Sequence, residues 1–186
     1  MKKAVLILGG ARSGKSRFAQ ELARNAGVPV LFVATAEAGD EDMRQRIDKH
    51  RKARPPQWRT LEATEHLGNR ITQEAGVAGI VMVDCITLLV SNIFSRHSEQ
   101  DLEQIEESVL EEEVAAEINE LITCVKKVDA GFIIVSNEVG LGLVPDNHIG
   151  RLYRDLLGKV NQMLAQCADE VYLLVAGLPL KIKPHD

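Results

Sequence analysis

Short apolar runs alternate with longer segments of helical pattern along almost the whole chain. This alternation is typical of βαβ units, and it predicts an α/β fold with a mostly parallel central sheet flanked by helices. The predicted strands are 4–8, 30–33, 79–84, 131–136 and 171–176, and the helical patterns cover 16–26, about 39–53, 86–95 and about 147–167.

The segment from Glu99 to Glu120 is strongly acidic, yet its apolar residues recur at close to helical spacing. We predict one long amphipathic helix here, with Ser98 and Asp101 as a capping pair at its amino terminus. The acidic face is interpreted as a solvated surface, with a subunit contact as the alternative. The apolar positions are Leu102, Ile105, Val109, Val114, Ile118, Leu121 and Val125.

Length and composition exclude several classes of protein. A chain of 186 residues, 45% of them hydrophobic, can bury one substantial core, so one domain over residues 1–186 is expected. The net charge of −5 argues against a nucleic-acid-binding surface. No apolar stretch approaches the roughly 20 residues that cross a bilayer, so no integral membrane segment is expected.

The amino terminus leads directly into a predicted strand and a functional loop, so a cleaved signal peptide is not expected and the cytoplasm is the expected compartment. The three cysteines are odd in number and widely spaced, which fits reduced thiols better than a disulfide or zinc framework. They are Cys85, Cys124 and Cys167.

Residues 9–16 read GGARSGKS and match the pattern G-x-x-x-x-G-K-[ST] between a predicted strand and a predicted helix. We call this segment the phosphate loop. Gly9, Gly10 and Gly14 permit the positive φ with which backbone N–H groups can surround a β-phosphate. Lys15 is expected to reach the β- and γ-phosphates and Ser16 to hold Mg²⁺. The loop predicts binding of a nucleoside triphosphate.

Two further predicted strands end in polar residues. Asp84 ends the run 80–84, a pattern that in P-loop proteins places a carboxylate beside Mg²⁺. Ser136, Asn137 and Glu138 follow the run 132–135. Because carboxyl ends of parallel strands face the ligand crevice, Asn137 or Glu138 is a candidate contact for the terminal phosphate or the acceptor. The alternative is an ordinary loop.

A basic block interrupts this acidic protein between Arg44 and Arg54. Read as a helix, the block places Arg44, His50, Arg51 and Arg54 on one side, and Pro55 follows as a helix stop. Composition alone favours a solvated basic face over a surface that contacts phosphate.

A series of motifs in order along the chain resembles one enzyme family. The family is the bifunctional adenosylcobinamide kinase / adenosylcobinamide-phosphate guanylyltransferase of cobalamin biosynthesis. The motifs are GGARSGKS, A-T-A at 34–36, H-R-x-x-R-P-x-x-W-R-T-x-E at 50–62, V-D-C-I-T at 83–87, S-N-E-V-G-L-G-L-V-P-D-N at 136–147, R-x-Y-R-D-x-x-G-x-x-N-Q at 151–162 and A-D-E-V-Y-L-L-V-A-G-L-P-L-K-I-K at 168–183.

The resemblance implies a P-loop NTPase of RecA-like fold that carries out two reactions. A nucleoside triphosphate, ATP or GTP, first donates its γ-phosphoryl to the hydroxyl of adenosylcobinamide. GTP then gives GMP to an enzyme histidine, from which it passes to the new phosphate, and pyrophosphate and adenosylcobinamide-GDP are the products. An imidazole that is largely neutral near pH 7 has the free lone pair that this attack requires.

The site residues are carried over by motif. The histidine that becomes guanylylated matches His50, and Ser16 and Asp84 are the expected Mg²⁺ ligands. The nucleotide site implied by the resemblance comprises Gly9, Gly10, Ala11, Arg12, Ser13, Gly14, Lys15, Ser16, Ala34, Thr35, Ala36, Arg51, Lys52, Ala53, Arg54, Glu62 and Asp84.

Glu62 is our candidate for guanine selection, because a carboxylate can accept from guanine N1–H and the exocyclic amine, whereas adenine N1 carries no hydrogen. The resemblance also implies a homo-oligomer, with a trimer as one candidate. The rival interpretations are a simple P-loop kinase of a small molecule without a covalent intermediate, and a RecA-like ATPase or regulatory GTP-binding module. The absence of an N-K-x-D motif and the acidic charge argue against the last two.

Overall fold

The computed structural model describes residues 3–36, 44, 51 and 54–184. One sheet of seven strands forms the centre of this part of the chain. The strands are β1 (Ala4–Gly9), β2 (Val30–Ala34), β3 (Arg59–Glu62), β4 (Ile80–Asp84), β5 (Gly131–Val135), β6 (Glu170–Val175) and β7 (Leu178–Lys183). The helices among the described residues are α1 (Lys15–Asn25), α2 (Leu67–Glu74), α3 (Ile86–Phe94), α4 (Glu99–Gln104), α5 (Glu107–Lys127) and α6 (His148–Cys167).

The strands are ordered β3-β2-β4-β5-β1-β6-β7 across the sheet. All neighbouring pairs are parallel except β6 and β7, which form an antiparallel hairpin at one edge. The carboxyl ends of the six parallel strands therefore meet at one edge of the sheet, which we call the carboxyl edge. The phosphate loop follows β1 there, between the ends of β5 and β6. The predicted mostly parallel α/β sheet is confirmed.

Helices cover both faces of the sheet, because successive side chains of each buried strand point to opposite faces. On β1, Val5 and Ile7 pack with Ala19 and Ala23 of α1. Leu6 and its neighbours on the other face pack in a larger core with residues of α2, α3, α5 and α6. The strands β2, β4, β5 and β1 are thereby largely shielded from solvent on both sides, as a parallel sheet requires.

The single long helix predicted after Ser98 is wrong, because Ile105 and Glu106 have extended backbone between α4 and α5. The buried positions explain the break. Leu102 is buried on α4, whereas on α5 the buried stripe begins at Leu110 and the predicted position Val109 is 41% exposed. On an uninterrupted helix Val109 would lie within about 20° of Leu102 and share its buried face, so burying Leu110 instead requires a turn of about 100°, which the break supplies. The predicted capping pair is confirmed, since Ser98 and Asp101 form a capping box.

The acidic face of α5 is not simply solvated, and the prediction that it would be is wrong in part. The carboxylate of Glu117 is buried and accepts hydrogen bonds from the backbone N–H groups of His66 (3.0 Å) and Leu67 (2.7 Å) at the start of α2. Glu120 accepts from the N–H of Asn69 at 2.8 Å. These acids satisfy the N–H groups that an isolated helix amino terminus leaves unpaired.

Glu170 joins the edge hairpin to the start of the sheet. Its buried carboxylate receives Lys181 of β7, Lys3 just before β1, and the hydroxyl of Tyr172 at 3.0 Å. Burial alone would raise the pKa of Glu170, but the hydrogen bonds from Lys181, Lys3 and Tyr172 lower this pKa from 4.5 to about 2. The charged form of Glu170 therefore stabilises the folded state.

We predict that Glu170→Gln lowers the free energy of unfolding by about 2–3 kcal/mol near pH 7. Because the folded pKa is depressed, this contribution is complete above pH 4.5 and disappears as the pH falls toward about 2. Denaturant unfolding of both proteins across this pH range measures the difference. The exposed ion pair between Glu111 and Lys159 provides the control, since Glu111→Gln should change stability by less than about 1 kcal/mol. A pH-independent loss in Glu170→Gln would contradict the prediction.

Candidate active site

The phosphate loop has the backbone conformation of a glycine-dependent turn at two of the three predicted glycines. Gly9 has φ of 153° and Gly14 has φ of 97°, and Arg12 is a non-glycine residue with φ of 56°. Gly10 does not have positive φ, and a Cβ there would meet nothing within 4 Å. The sharp turn is placed at Gly9 and at Gly14, which is the N-cap of α1.

The loop is held between the two strands that flank β1. The N–H of Glu138, after β5, donates to Gly9 O at 2.9 Å, and the N–H of Gly177, in the turn of the β6–β7 hairpin, donates to Ser13 O at 2.9 Å. A Cβ on Gly9 would lie 2.5 Å from Leu174 O. Backbone packing from β5 and β6 therefore fixes the loop.

Lys15 is the first residue of α1, and its side chain points back into the loop. Its Nζ donates to Gly10 O at 2.6 Å, and the residue is only 7% exposed. Burial lowers the pKa of Lys15, while Cys85 and Asp84 nearby act to raise it. The loop thus encloses a desolvated cation within electrostatic range of Asp84.

Asp84 ends β4 at the carboxyl edge, with Oδ2 of its carboxylate buried. Ser16, the other predicted metal ligand, follows Lys15 directly and is half-buried. A hydroxyl and a carboxylate at this edge are oxygen donors of the kind that Mg²⁺ prefers. The donor set present therefore fits Mg²⁺. Among the described residues, no group of three or more His, Cys, Asp or Glu side chains could hold a metal by itself.

The structure brings Arg51 and Arg54 of the basic block to the same edge as Glu62. Arg51 forms an ion pair with Glu62, the last residue of β3. The guanidinium carbon of Arg54 lies 3.7 Å from the centre of the Phe32 ring, a cation–π contact. Burial is the largest effect on the pKa of Arg54 and lowers it. The charge of Arg51 also lowers this pKa, whereas the carboxylates of Asp84 and Glu62 act to raise it. Arg54 therefore interacts electrostatically with a cation and two carboxylates of the predicted site.

The Nε atom of Arg54 is buried and has no hydrogen-bond partner within the described part of the chain. A buried unpaired donor is costly, and an anionic ligand at this edge would satisfy it.

The remaining predicted residues divide into three groups. Ala34 ends β2 at the carboxyl edge, with Thr35 and Ala36 directly after it, whereas Ala11 and Arg12 lie on the exposed part of the phosphate loop. His50, Lys52 and Ala53 lie outside the described residues, as does most of the helix predicted over 39–53.

Sequence reasoning missed several polar side chains behind the site. Asn137 N–H donates to Thr87 Oγ1 at 2.8 Å, and Asn137 O accepts from Asn161 Nδ2 at 3.0 Å. Thr87 O in turn accepts from the hydroxyl of Tyr153 at 2.9 Å. On α3, Asn92 Nδ2 donates to Thr35 O at 2.9 Å. The signal that was available is the presence of three polar residues, Thr87, Ser91 and Asn92, within the otherwise apolar helix ITLLVSNIF.

These features define the class of protein. A phosphate loop between β1 and α1, with a carboxylate ending β4, is the arrangement of P-loop NTPases. Two solved structures have this fold. A Pyrococcus horikoshii OT3 protein studied under a project number has a TM-score of 0.56 and 10% identity, covering 99% of this chain and 87% of that one. A prototypical ATPase from a type III secretion system has a TM-score of 0.56 and 12% identity, covering 96% and 56%. These identities establish the fold alone.

The family follows from sequence comparison. A family model described as "Cobinamide kinase / cobinamide phosphate guanyltransferase" matches residues 5–182. The "Bifunctional adenosylcobalamin biosynthesis protein CobU" of Salmonella typhimurium is 42% identical over 180 residues, which is 96% of this chain and 99% of the relative. The Escherichia coli protein of the same name is 39% identical with the same coverage, and Pseudomonas aeruginosa CobP is 41% identical over 178 residues, 96% of each chain. The chain belongs to the cobinamide kinase / cobinamide phosphate guanyltransferase family, as the ordered motifs predicted.

No helix within the described residues is long and apolar enough to span a bilayer.

Gly9 and Gly10 of the phosphate loop offer a matched pair of variants. Gly9→Ala should lower the free energy of unfolding by about 2–4 kcal/mol, because the new Cβ meets Leu174 O at 2.5 Å at a φ of 153°. Gly10→Ala should stay within about 1 kcal/mol of the parent, because its Cβ enters open space. Thermal and denaturant unfolding measure both. Equal effects of the two substitutions would contradict the packing seen at Gly9.

Proposed function

We propose that this protein phosphorylates adenosylcobinamide and then transfers GMP to the new phosphate through a covalent intermediate on His50. The observation that carries the proposal is the convergence of Lys15, Arg54, Asp84 and the Arg51–Glu62 pair at the carboxyl edge. Family membership supports the pairing of a kinase with a guanylyltransferase.

In the kinase step, the hydroxyl oxygen of the acceptor forms a bond to the γ-phosphorus of the nucleotide. The bond from that phosphorus to the β–γ bridging oxygen breaks, the hydroxyl proton is released, and the nucleoside diphosphate departs. N–H groups of the phosphate loop and the ammonium of Lys15 would stabilise negative charge on the β- and γ-oxygens. The bond from Lys15 to Gly10 O, at 2.6 Å, is exchanged for one to phosphate.

Ser16 and Asp84 would hold Mg²⁺ beside these oxygens. When bound, the metal supplies further positive charge to the phosphates.

In the transferase step, an imidazole nitrogen of His50 forms a bond to the α-phosphorus of GTP. The bond from that phosphorus to the α–β bridging oxygen breaks and pyrophosphate leaves, stabilised by the same loop groups. A phosphate oxygen of the phosphorylated acceptor then attacks the phosphorus, and the P–N bond breaks with its electron pair returning to the imidazole. One phosphate loop serves both steps, because only the phosphorus under attack differs.

Arg54 supports this use of the edge, since its half-buried guanidinium lies within electrostatic range of Asp84 and its buried Nε has no hydrogen-bond partner among the described residues. A planar guanidinium suits an anionic oxygen.

We further propose that the protein acts in the cytoplasm as a homo-oligomer, with a trimer as the candidate assembly. Exposed apolar side chains support association. They lie on the β6–β7 hairpin and in the loop after β5 and comprise Val175, Leu178, Leu180, Ile182, Leu141, Leu143 and Val144.

Covalent labelling tests the role of His50. Protein incubated with GTP labelled at the α-phosphate should retain acid-labile, alkali-stable label, and His50→Ala should retain none. His148 pairs with Glu107 on the surface, so His148→Ala is the matched control and should label like the parent. Label that persists in His50→Ala would assign the nucleophile elsewhere. Absence of label from all three proteins, with kinase activity intact, would favour the alternative of a simple P-loop kinase without a covalent intermediate.

Selectivity for guanine tests Glu62. Glu62→Ala should reduce the preference for GTP over ATP in the transferase step by at least about tenfold, because the acceptor for guanine N1–H is removed. Arg51→Ala should retain the preference, because the carboxylate remains after its ion-pair partner is lost. Glu74→Ala removes the comparable exposed pair with Arg59 and is the control. An unchanged GTP-to-ATP ratio in Glu62→Ala would contradict the assignment.

A further inference from the structure

The hydroxyl of Thr35 bonds to the backbone of a single residue, Cys85, directly after the neighbouring strand β4. Thr35 Oγ1 donates to Cys85 O at 2.6 Å and accepts from Cys85 N–H at 2.9 Å. Thr35 is fully buried. A hydroxyl has one proton to donate, so in this arrangement Thr35 has none left for a phosphate oxygen.

Cys85 immediately follows Asp84, so these two bonds act at the end of β4. The parallel register of β2 and β4 pairs Ala34 with Asp84, which sets Thr35 opposite Cys85. The Thr35 hydroxyl thus continues the attachment of β2 to β4 one residue beyond the sheet, at the residue that follows Asp84.

Asn92 fixes Thr35 from the other direction. Its Nδ2 donates to Thr35 O at 2.9 Å and to Thr64 O at 3.2 Å. Asn92 lies on α3, which begins at Ile86, directly after Cys85. The helix that follows β4 is therefore hydrogen-bonded, through the Asn92 side chain, to the segments that follow β2 and β3.

We propose that Thr35 and Asn92 are positioning residues for Asp84, and that the Thr35 side chain acts through Asp84 rather than as a ligand of the nucleotide. The proposal rests on the proposed function in one respect, the role of Asp84 in holding Mg²⁺. Where the backbone pairing of β2 and β4 ends, the two hydrogen bonds of the Thr35 side chain to Cys85 hold the chains together. The hydrogen bond from Asn92 to Thr35 O keeps Thr35 opposite Cys85. Partners that orient a metal-binding carboxylate influence metal affinity without touching the metal.

Three variants separate positioning from nucleotide contact. Thr35→Val keeps the shape of the side chain and removes the hydroxyl, Thr35→Ser restores the hydroxyl, and Asp84→Asn removes the charge of the carboxylate. The Mg²⁺ concentration that gives half the maximal kinase rate should rise about tenfold in Thr35→Val and return to within about threefold of the parent in Thr35→Ser. The affinity for GTP measured in EDTA should change by less than about threefold in both.

A readout independent of activity is the exchange rate of the Cys85 amide hydrogen. This amide donates to Thr35 Oγ1, so its exchange should accelerate in Thr35→Val and not in Thr35→Ser. Thermal unfolding of each variant is measured first, to check that it is folded before its Mg²⁺ midpoint and amide exchange are compared.

Asn92→Ala should shift the Mg²⁺ midpoint in the same direction as Thr35→Val. The matched control is Asn69→Ala on α2, where the Asn69 amide donates to Glu120 at 2.6 Å on the surface, and the midpoint should stay unchanged.

The outcomes distinguish the two proposals. If Asp84→Asn raises the midpoint and Thr35→Val does not, the metal role of Asp84 stands and the positioning role is overturned. If Thr35→Val weakens GTP binding in EDTA with the midpoint unchanged, Thr35 is a nucleotide contact. If Asp84→Asn leaves the midpoint unchanged, the metal role fails and the positioning proposal fails with it.

Discussion

The carboxyl edge depends on how closely the backbone after β1 approaches its two neighbouring strands. Gly9 passes beneath Leu174 O with no room for a Cβ, while Glu138 N–H bonds to Gly9 O from the opposite side. This double attachment orients the phosphate loop relative to both β5 and β6. Because β5 also pairs with β4, the loop and Asp84 are parts of one hydrogen-bonded sheet. The distance between a phosphate-binding backbone and a carboxylate is therefore set by strand spacing rather than by flexible side chains.

The electrostatics of this edge are arranged around a ligand of negative charge. Lys15 and Arg54 are desolvated, and burial lowers the pKa of each, while Asp84 acts to raise both. Keeping cations out of water is unfavourable unless other groups compensate. The Gly10 carbonyl partly compensates Lys15, and the Phe32 ring partly compensates Arg54. Under the proposed function a triphosphate would offer both cations stronger partners, and the cost of burying them in the free protein would become selectivity for polyanions.

The sequence contained the central strands and the phosphate loop in explicit form, because apolar runs and a glycine pattern are local signals. Strand β3 reads RTLE and has one buried residue, so it carried no apolar run to detect. The break at Ile105 was hidden because residues 102, 105 and 109 keep helical spacing, and only the packing of Leu110 reveals the shift. The role of Thr35 depends on Cys85, which lies 50 residues away, so no local pattern could contain it. The motif placed Thr35 at the site, but only the fold shows what its hydroxyl contacts.

The hairpin of β6 and β7 joins the phosphate loop to an exposed edge of the sheet. Gly177, in its turn, bonds to Ser13 O, and both Gly14 and Gly177 have positive φ at their point of closest approach. Strand β7 pairs only with β6 in the described sheet and presents Leu178, Leu180 and Ile182 to its surroundings. The turn thus adds one hydrogen bond and one close backbone contact to the pairing of β6 with β1. The exposed apolar strand therefore begins one residue after the glycine that contacts the phosphate loop.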